Sequence, residues 1–130
     1  LKGRLYALGG KNNNTAEVYD PLNNRWTYIA PIPRPITTFS ATVHQEKIYI
    51  CGKYGSAVYN PQTNAWEALP ILFDAKGTAL VSLNNQLLAI GGGEIKIRRS
   101  IFEYRPSGWK KLKEKMNIPR SHHSSVVVKF

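Results

Sequence analysis

Cysteine is almost missing from this sequence: Cys51 is the single one in 130 residues, which excludes an internal disulfide framework. It closes the apolar run Ile48-Tyr49-Ile50-Cys51, where a small buried side chain is expected and no polar neighbour lowers the thiol pKa. A reducing compartment is therefore permitted. No run of eighteen or so apolar residues is present that could form a membrane-spanning helix, and no basic-then-apolar stretch at the N-terminus resembles a signal peptide. A membrane is not among the expected partners. Methionine does not open the chain, which starts at Leu1, so a piece of a longer protein is expected. Acidic residues are also scarce, 8 against 18 Lys and Arg, for a net charge of +10. The imbalance is local: residues 94–130 hold ten basic and three acidic side chains, a balance of +7, and residues 1–93 hold eight and five, a balance of +3. Like-signed charge on one surface steers ligands of opposite sign. An acidic partner is one reading of this asymmetry, and a solvated edge balanced by segments elsewhere in the parent is the other.

What is present is a repeat. An apolar strand ending in glycine occurs as Leu5-Tyr6-Ala7-Leu8-Gly9-Gly10, as Ile48-Tyr49-Ile50-Cys51-Gly52-Lys53 and as Leu87-Leu88-Ala89-Ile90-Gly91-Gly92. A short strand closing in a proline turn follows each: Val18-Tyr19-Asp20-Pro21, Val58-Tyr59-Asn60-Pro61 and Glu103-Tyr104-Arg105-Pro106. Then a tryptophan opens a further strand, in Arg25-Trp26-Thr27-Tyr28, Ala65-Trp66-Glu67-Ala68 and Gly108-Trp109-Lys110-Lys111. A proline-containing stretch and a fourth β-prone run complete each unit, at Thr38–His44, Thr78–Leu83 and Ser124–Phe130. Turn signals about every ten residues without helical periodicity predict an all-β antiparallel architecture, and a recurring unit of about forty residues marks propeller blades.

These three ordered landmarks, each present three times, resemble the Kelch family. The resemblance covers essentially the whole chain. It implies a Kelch-type β-propeller segment of three four-stranded antiparallel blades in permuted phase, half of a six-bladed ring. In the family's order of strands a to d, residues 5–45 hold b, c, d and the next strand a, residues 46–84 the second repeat, and residues 85–130 the third, ending in a strand a. Three repeats do not make a familiar ring, so self-association or the remaining blades of a longer chain are expected to close it. The departures are Lys53 for a second glycine, Asn60 and Arg105 for the usual acid, and a shortened turn before Trp109.

The resemblance also implies a protein-interaction module in the cytoplasm that binds a partner protein or acidic peptide where the d-to-a and b-to-c loops open on one face. Substrate receptors of cullin ubiquitin ligases work in this way. Actin-associated or scaffold Kelch proteins are the alternative, and a Kelch-fold enzyme acting on sugars a third. Arg34 and Arg120 match the arginine that commonly follows the proline before strand a, and the middle copy has Asp74 there. With Ser121 and the loop residues Lys96, Arg98 and Arg99, they form the candidate partner-binding set, a cationic rim suited to a carboxylate or phosphate. An arginine at a loop mouth can equally tie neighbouring carbonyls.

No catalytic constellation is expected, and no cofactor or metal. His122 and His123 adjoin on a β-prone run and would point to opposite faces, while Ser124 and Ser125 have no base and orienting group assigned to them. His44 reads as a surface or turn residue. Gly91-Gly92-Gly93-Glu94 lacks the lysine and helix of a phosphate loop and reads as a tight strand exit. Trp26, Trp66 and Trp109 recur at one repeat position, which argues for packing between blades over stacking platforms for nucleic acid. Lys110, Lys111, Lys113 and Lys115 fall on a strand d, where lysines blunt an exposed edge. Nucleic acid is not the expected partner, since no groove-reading motif accompanies them.

Overall fold

Eleven strands and no helix make up the fold in a computed structural model that describes residues 1–33 and 36–128. Strands β1 (Leu5–Gly10), β2 (Asn13–Asp20) and β3 (Arg25–Ile29) form a three-stranded antiparallel sheet. Strands β4 (Thr37–His44), β5 (Lys47–Lys53), β6 (Gly55–Asn60) and β7 (Ala65–Leu69) form the second sheet in that order. The third holds β8 (Ala79–Leu83), β9 (Gln86–Ile90), β10 (Ser100–Arg105) and β11 (Gly108–Lys115), again in chain order. Each sheet is an up-and-down meander, the arrangement of a propeller blade.

The repeated residues do the same work in each sheet. Tyr19, Tyr59 and Tyr104 stand directly across from Trp26, Trp66 and Trp109, with ring centroids 5.2, 5.2 and 5.4 Å apart, so a cross-strand aromatic pair pins the c–d register each time. Asp20 and Asn60 both accept the backbone N–H two residues on, at 2.9 and 3.0 Å, which is why asparagine substitutes for the acid without changing the turn. Tyr19 and Tyr59 then donate their hydroxyls to Asn24 and Asn64 at 2.8 and 3.0 Å. Arg105 has no such role: its guanidinium pairs with Glu103, and the third turn is short.

Neighbouring sheets are fastened by the tryptophans. The Trp66 indole N–H donates to the Ala30 carbonyl at 2.7 Å and the Trp109 indole to the Pro70 carbonyl at 3.0 Å, each reaching the segment that leaves the preceding sheet. Trp26 stands apart, with 46% of its surface exposed, because no described sheet precedes β1. Two apolar clusters fill the space between sheets: Ile32, Ile36, Ile50 and Ala57 in one, Cys51, Leu72, Ala75, Leu80, Leu87 and Ala89 in the other. Burial pushes the Cys51 thiol up to about 11, as a packing role requires.

Two expectations need correction. His44 is buried, with its Nδ1 2.8 Å from the Ser82 hydroxyl and its ring edge-on to Tyr49. It bridges β4 and β8, the innermost strands of two sheets, because the sheets pack close enough there for a polar side chain to reach across. The β-prone run from Ser124 does not form a strand over residues 124–128, and Lys129 and Phe130 lie outside the described residues. A strand exists through its ladder, and among the described residues no strand lies beside this segment. The edge of β1 is likewise paired only with β2.

Candidate partner-docking face

Antiparallel meanders place alternate connections at opposite ends, so the b–c turns and the d–a segments share one face. In the third copy the b–c loop is long: β9 ends at Ile90 and β10 begins at Ser100. Its conformation follows from its glycines. Gly91, Gly92 and Gly93 have φ of 65, 84 and 121°, a region open to glycine without a Cβ penalty. A Cβ on Gly93 would strike the Lys96 carbonyl oxygen, and one on Gly91 would lie 2.5 Å from the Arg120 carbonyl oxygen.

That close approach lets the backbone stitch three segments together. Gly93 N–H donates to Lys76 O at 2.8 Å, Gly92 N–H to Arg120 O at 2.8 Å, and Arg98 N–H back to Gly92 O at 2.9 Å. Arg120 N–H donates to Arg98 O at 3.1 Å, Met116 N–H to Arg99 O at 2.9 Å, and His122 N–H to Gly77 O at 2.8 Å. The Glu94 N–H is capped by the Asp74 carboxylate at 2.7 Å.

The anticipated residues divide on this frame. Arg98 is half-buried; its two terminal nitrogens donate to the Phe73 and Asp74 carbonyls at 2.9 and 2.8 Å, and its guanidinium lies 5.2 Å over the Phe102 ring. Burial lowers it from the ordinary arginine value. Ser121 Oγ sits 3.3 and 3.4 Å from the Gly93 and Lys76 carbonyl oxygens and 3.1 Å from His122 Nδ1. Lys96, Arg99 and Arg120 are exposed. Lys96, Arg98 and Arg99 border a cavity of about 490 Å³ together with Lys111, Lys113 and Lys115, whereas Arg120 does not line it. Arg34 lies outside the described residues.

A second cavity, about 370 Å³, opens beside this frame and was not anticipated. Tyr54, Ile71, Phe73 and Ile95 line it with Lys53, Lys76 and Glu94. Phe73 is 79% and Ile95 89% exposed, far more than apolar residues kept for packing. Glu94 accepts from Lys53 at 2.9 Å and from Lys76 at 3.1 Å, and these two bonds hold its carboxyl below the usual carboxylate range. The result is an apolar cleft with a fixed, ionised clasp at its mouth. The repeat contained a signal for it. Phe73 immediately precedes Asp74, which aligns with Arg34 and Arg120, so Phe73 stands where the other copies have Pro33 and Pro119. A large apolar side chain occurring in one copy only is not explained by what every blade needs.

Among the described residues no three His, Cys, Asp or Glu side chains cluster to hold a metal ion.

Comparison with known proteins agrees with this architecture. The family pattern described as the Kelch motif matches residues 1–33. Kelch-like protein 36 of Rattus norvegicus is 30% identical over 108 aligned positions, covering 72% of this chain and 18% of that protein. Spermatocyte protein spe-26 of Caenorhabditis elegans is 29% identical over 139 positions, 92% of this chain and 24% of its own length. Kelch-like protein 35 of Mus musculus is 27% identical over 119 positions, 82% and 20%. The chain thus spans about a fifth to a quarter of the length of these curated relatives.

Proposed function

Because the chain belongs to the Kelch-repeat family, we propose that it is a binding platform that captures a partner protein on the face shared by its b–c and d–a loops, without catalysing a reaction. One observation carries this reading: Tyr54, Ile71, Phe73 and Ile95 are presented together to solvent around an ion-paired clasp. Exposed apolar clusters rimmed by charge mark interaction sites, and aromatic anchors supply much of the energy at such sites. The partner inserts an apolar side chain among them, and its acidic groups face the cationic side of the frame. Lys96, Arg99 and Arg120 are the exposed contributors there, Arg98 and Ser121 hold the loops that carry them, and Arg34 belongs to the same rim by its place in the repeat. Within a longer cytoplasmic parent, the role that fits is the substrate receptor of a cullin ubiquitin ligase.

The test is cross-linking of the parent protein in cells followed by mass spectrometry, with Phe73→Asp/Ile95→Asp as the comparison. A partner cross-linked at this face in the wild type and lost in the variant, at unchanged melting temperature, is the expected result. Retention of every cross-linked partner by the folded double variant would sink the reading, and absence of a cullin among the partners would remove the ligase role.

A further inference from the structure

The third sheet breaks the repeat in two places, and both breaks meet at one groove. Strands β3 and β7 are five residues long and pair with their neighbours without a shift in register. Strand β11 has eight residues, and the four-residue step from Lys111 to Lys115 faces only the two-residue step from Ser100 to Phe102. This is a bulge, a device that twists an edge strand and re-aims its side chains. The second break is the loop after β9: the first two sheets join the corresponding strands through Lys11-Asn12 and through Tyr54, whereas the third uses residues 91–99. The extended loop and the bulged strand are joined at Ser100 opposite Lys115 and by the Met116 N–H to Arg99 O bond.

Between them lies the 490 Å³ cavity lined by Lys96, Arg98, Arg99, Lys111, Lys113 and Lys115, with Ile97, Leu112 and Pro119 as its apolar part. Among the described residues not one acidic side chain lines it. Arg98 is engaged with carbonyls, and among the described residues the other five cations make no ion pair. Lys111 shares the face of its cross-strand partner Phe102, which packs toward the core between the second and third sheets. This wall therefore belongs to the side turned toward the second sheet.

We propose that this groove is a second docking site, distinct from the loop-face cleft, and that its occupant is an acidic peptide segment carrying an aliphatic side chain. Five exposed cations that make no ion pair among the described residues border this one concavity, an arrangement that attracts an acidic ligand. Ile97, Leu112 and Pro119 supply apolar surface that a bare phosphate would leave unused. Among the described residues no aromatic side chain lines the groove, which argues against the stacking platform of a single-strand nucleic-acid site. The bulge also disrupts the β11 edge over Lys111–Lys115, so the peptide is held by its side chains rather than as an added strand.

Lys96 and Arg99 also belong to the rim proposed above, but the groove does not require the apolar cleft, and it is tested on the full 130-residue chain by fluorescence anisotropy through β11 lysines that do not line that cleft. The probe is a short labelled peptide of glutamates around a central leucine; a glutamine version and a single-stranded DNA of matched charge serve as comparisons. The Glu peptide is expected to bind, more weakly as salt rises, and the Gln peptide not to bind. Lys111→Gln/Lys113→Gln/Lys115→Gln is expected to weaken binding about tenfold, as the loss of three exposed ion pairs allows. Lys11→Gln/Arg25→Gln/Lys47→Gln, which removes three exposed cations from the other sheets, is expected to leave it unchanged. Equal affinity of the two triple variants would overturn the proposal, and so would DNA binding more tightly than the Glu peptide.

Discussion

Burial lowers the His44 pKa from the ordinary value of 6.5, and burial together with the Arg120 charge does the same to His123, whose two ring nitrogens find no hydrogen-bond partner among the described residues. A histidine whose folded value is lowered binds more protons when unfolded than when folded near and below pH 6.5, so stability rises with pH there. The melting temperature is therefore expected to hold above pH 7 and to fall as pH drops through 6 toward 5. His44→Gln, which keeps a polar group near Ser82, is expected to flatten that decline, and thermal melts of both proteins across this range provide the check; an equally steep decline in the variant would remove His44 from the account. The tryptophans separate at the same scale. Trp66 spans two sheets and donates to the Ala30 carbonyl, so Trp66→Ala is expected to cost about 3–5 kcal/mol. Trp26 occupies the same repeat position with 46% of its surface exposed, and its removal is expected to cost about 1 kcal/mol, mostly the aromatic pair with Tyr19. Urea denaturation of the two variants tests this ordering, and equal losses would contradict it.

The long loop of the third sheet depends on backbone rather than side chains for its shape. At Gly93, φ is 121° and a Cβ would meet the Lys96 carbonyl oxygen, so Gly93→Ala is expected to destabilise by about 1–3 kcal/mol. Protection of the Gly92 and Arg98 amides should fall with it while the β5–β6 ladder stays protected, a pattern that hydrogen exchange resolves. Uniform loss of protection would show that the loop is part of the global folding unit. Elements were legible in the sequence where a local rule produced them: the Tyr–Trp pairs, the Asx-Pro turns and the glycine strand exits all recur, and repetition exposes them. What the sequence left hidden depends on distances across the fold. His44 reads as a turn residue until β8 is brought within 2.8 Å, and Arg98 reads as a partner contact until the 73–74 carbonyls arrive beneath it. The apolar cleft was hidden for another reason: Tyr54, Phe73 and Ile95 belong to three different connections, and only the meander topology places them side by side. The bulge in β11 could not be inferred from its lysines, since it arises from a mismatch in length with β10.

The molecule as a whole keeps unpaired backbone and apolar surface at its two extremities. Among the described residues strand β1 has a neighbour on one side only, Leu5 on it is 60% exposed, and a cavity of about 290 Å³ runs from Leu5, Tyr6 and Leu8 to Ala41 and Val43. At the other extremity Val126 and Val128 are 83% and 61% exposed in a segment that joins no sheet. The position of that segment in the repeat matches β4 and β8, each of which lies beside the strand equivalent to β1. Edge backbone can be satisfied by water, but a β-prone, valine-rich run and an open edge with apolar neighbours favour pairing. In the isolated 130-residue chain, residues 124–128 of one copy are therefore expected to add to β1 of another. The exchange becomes reciprocal in a dimer, which leaves neither edge free and closes the assembly. Light scattering over a range of concentrations is expected to show a mass that rises from monomer to dimer. Val126→Lys/Val128→Lys, which places charge on the added strand, is expected to hold the chain monomeric at unchanged sheet content. A wild-type chain that remains a folded monomer at the highest concentration would show that water and local packing suffice for both extremities, and the strand-exchange argument would then fall.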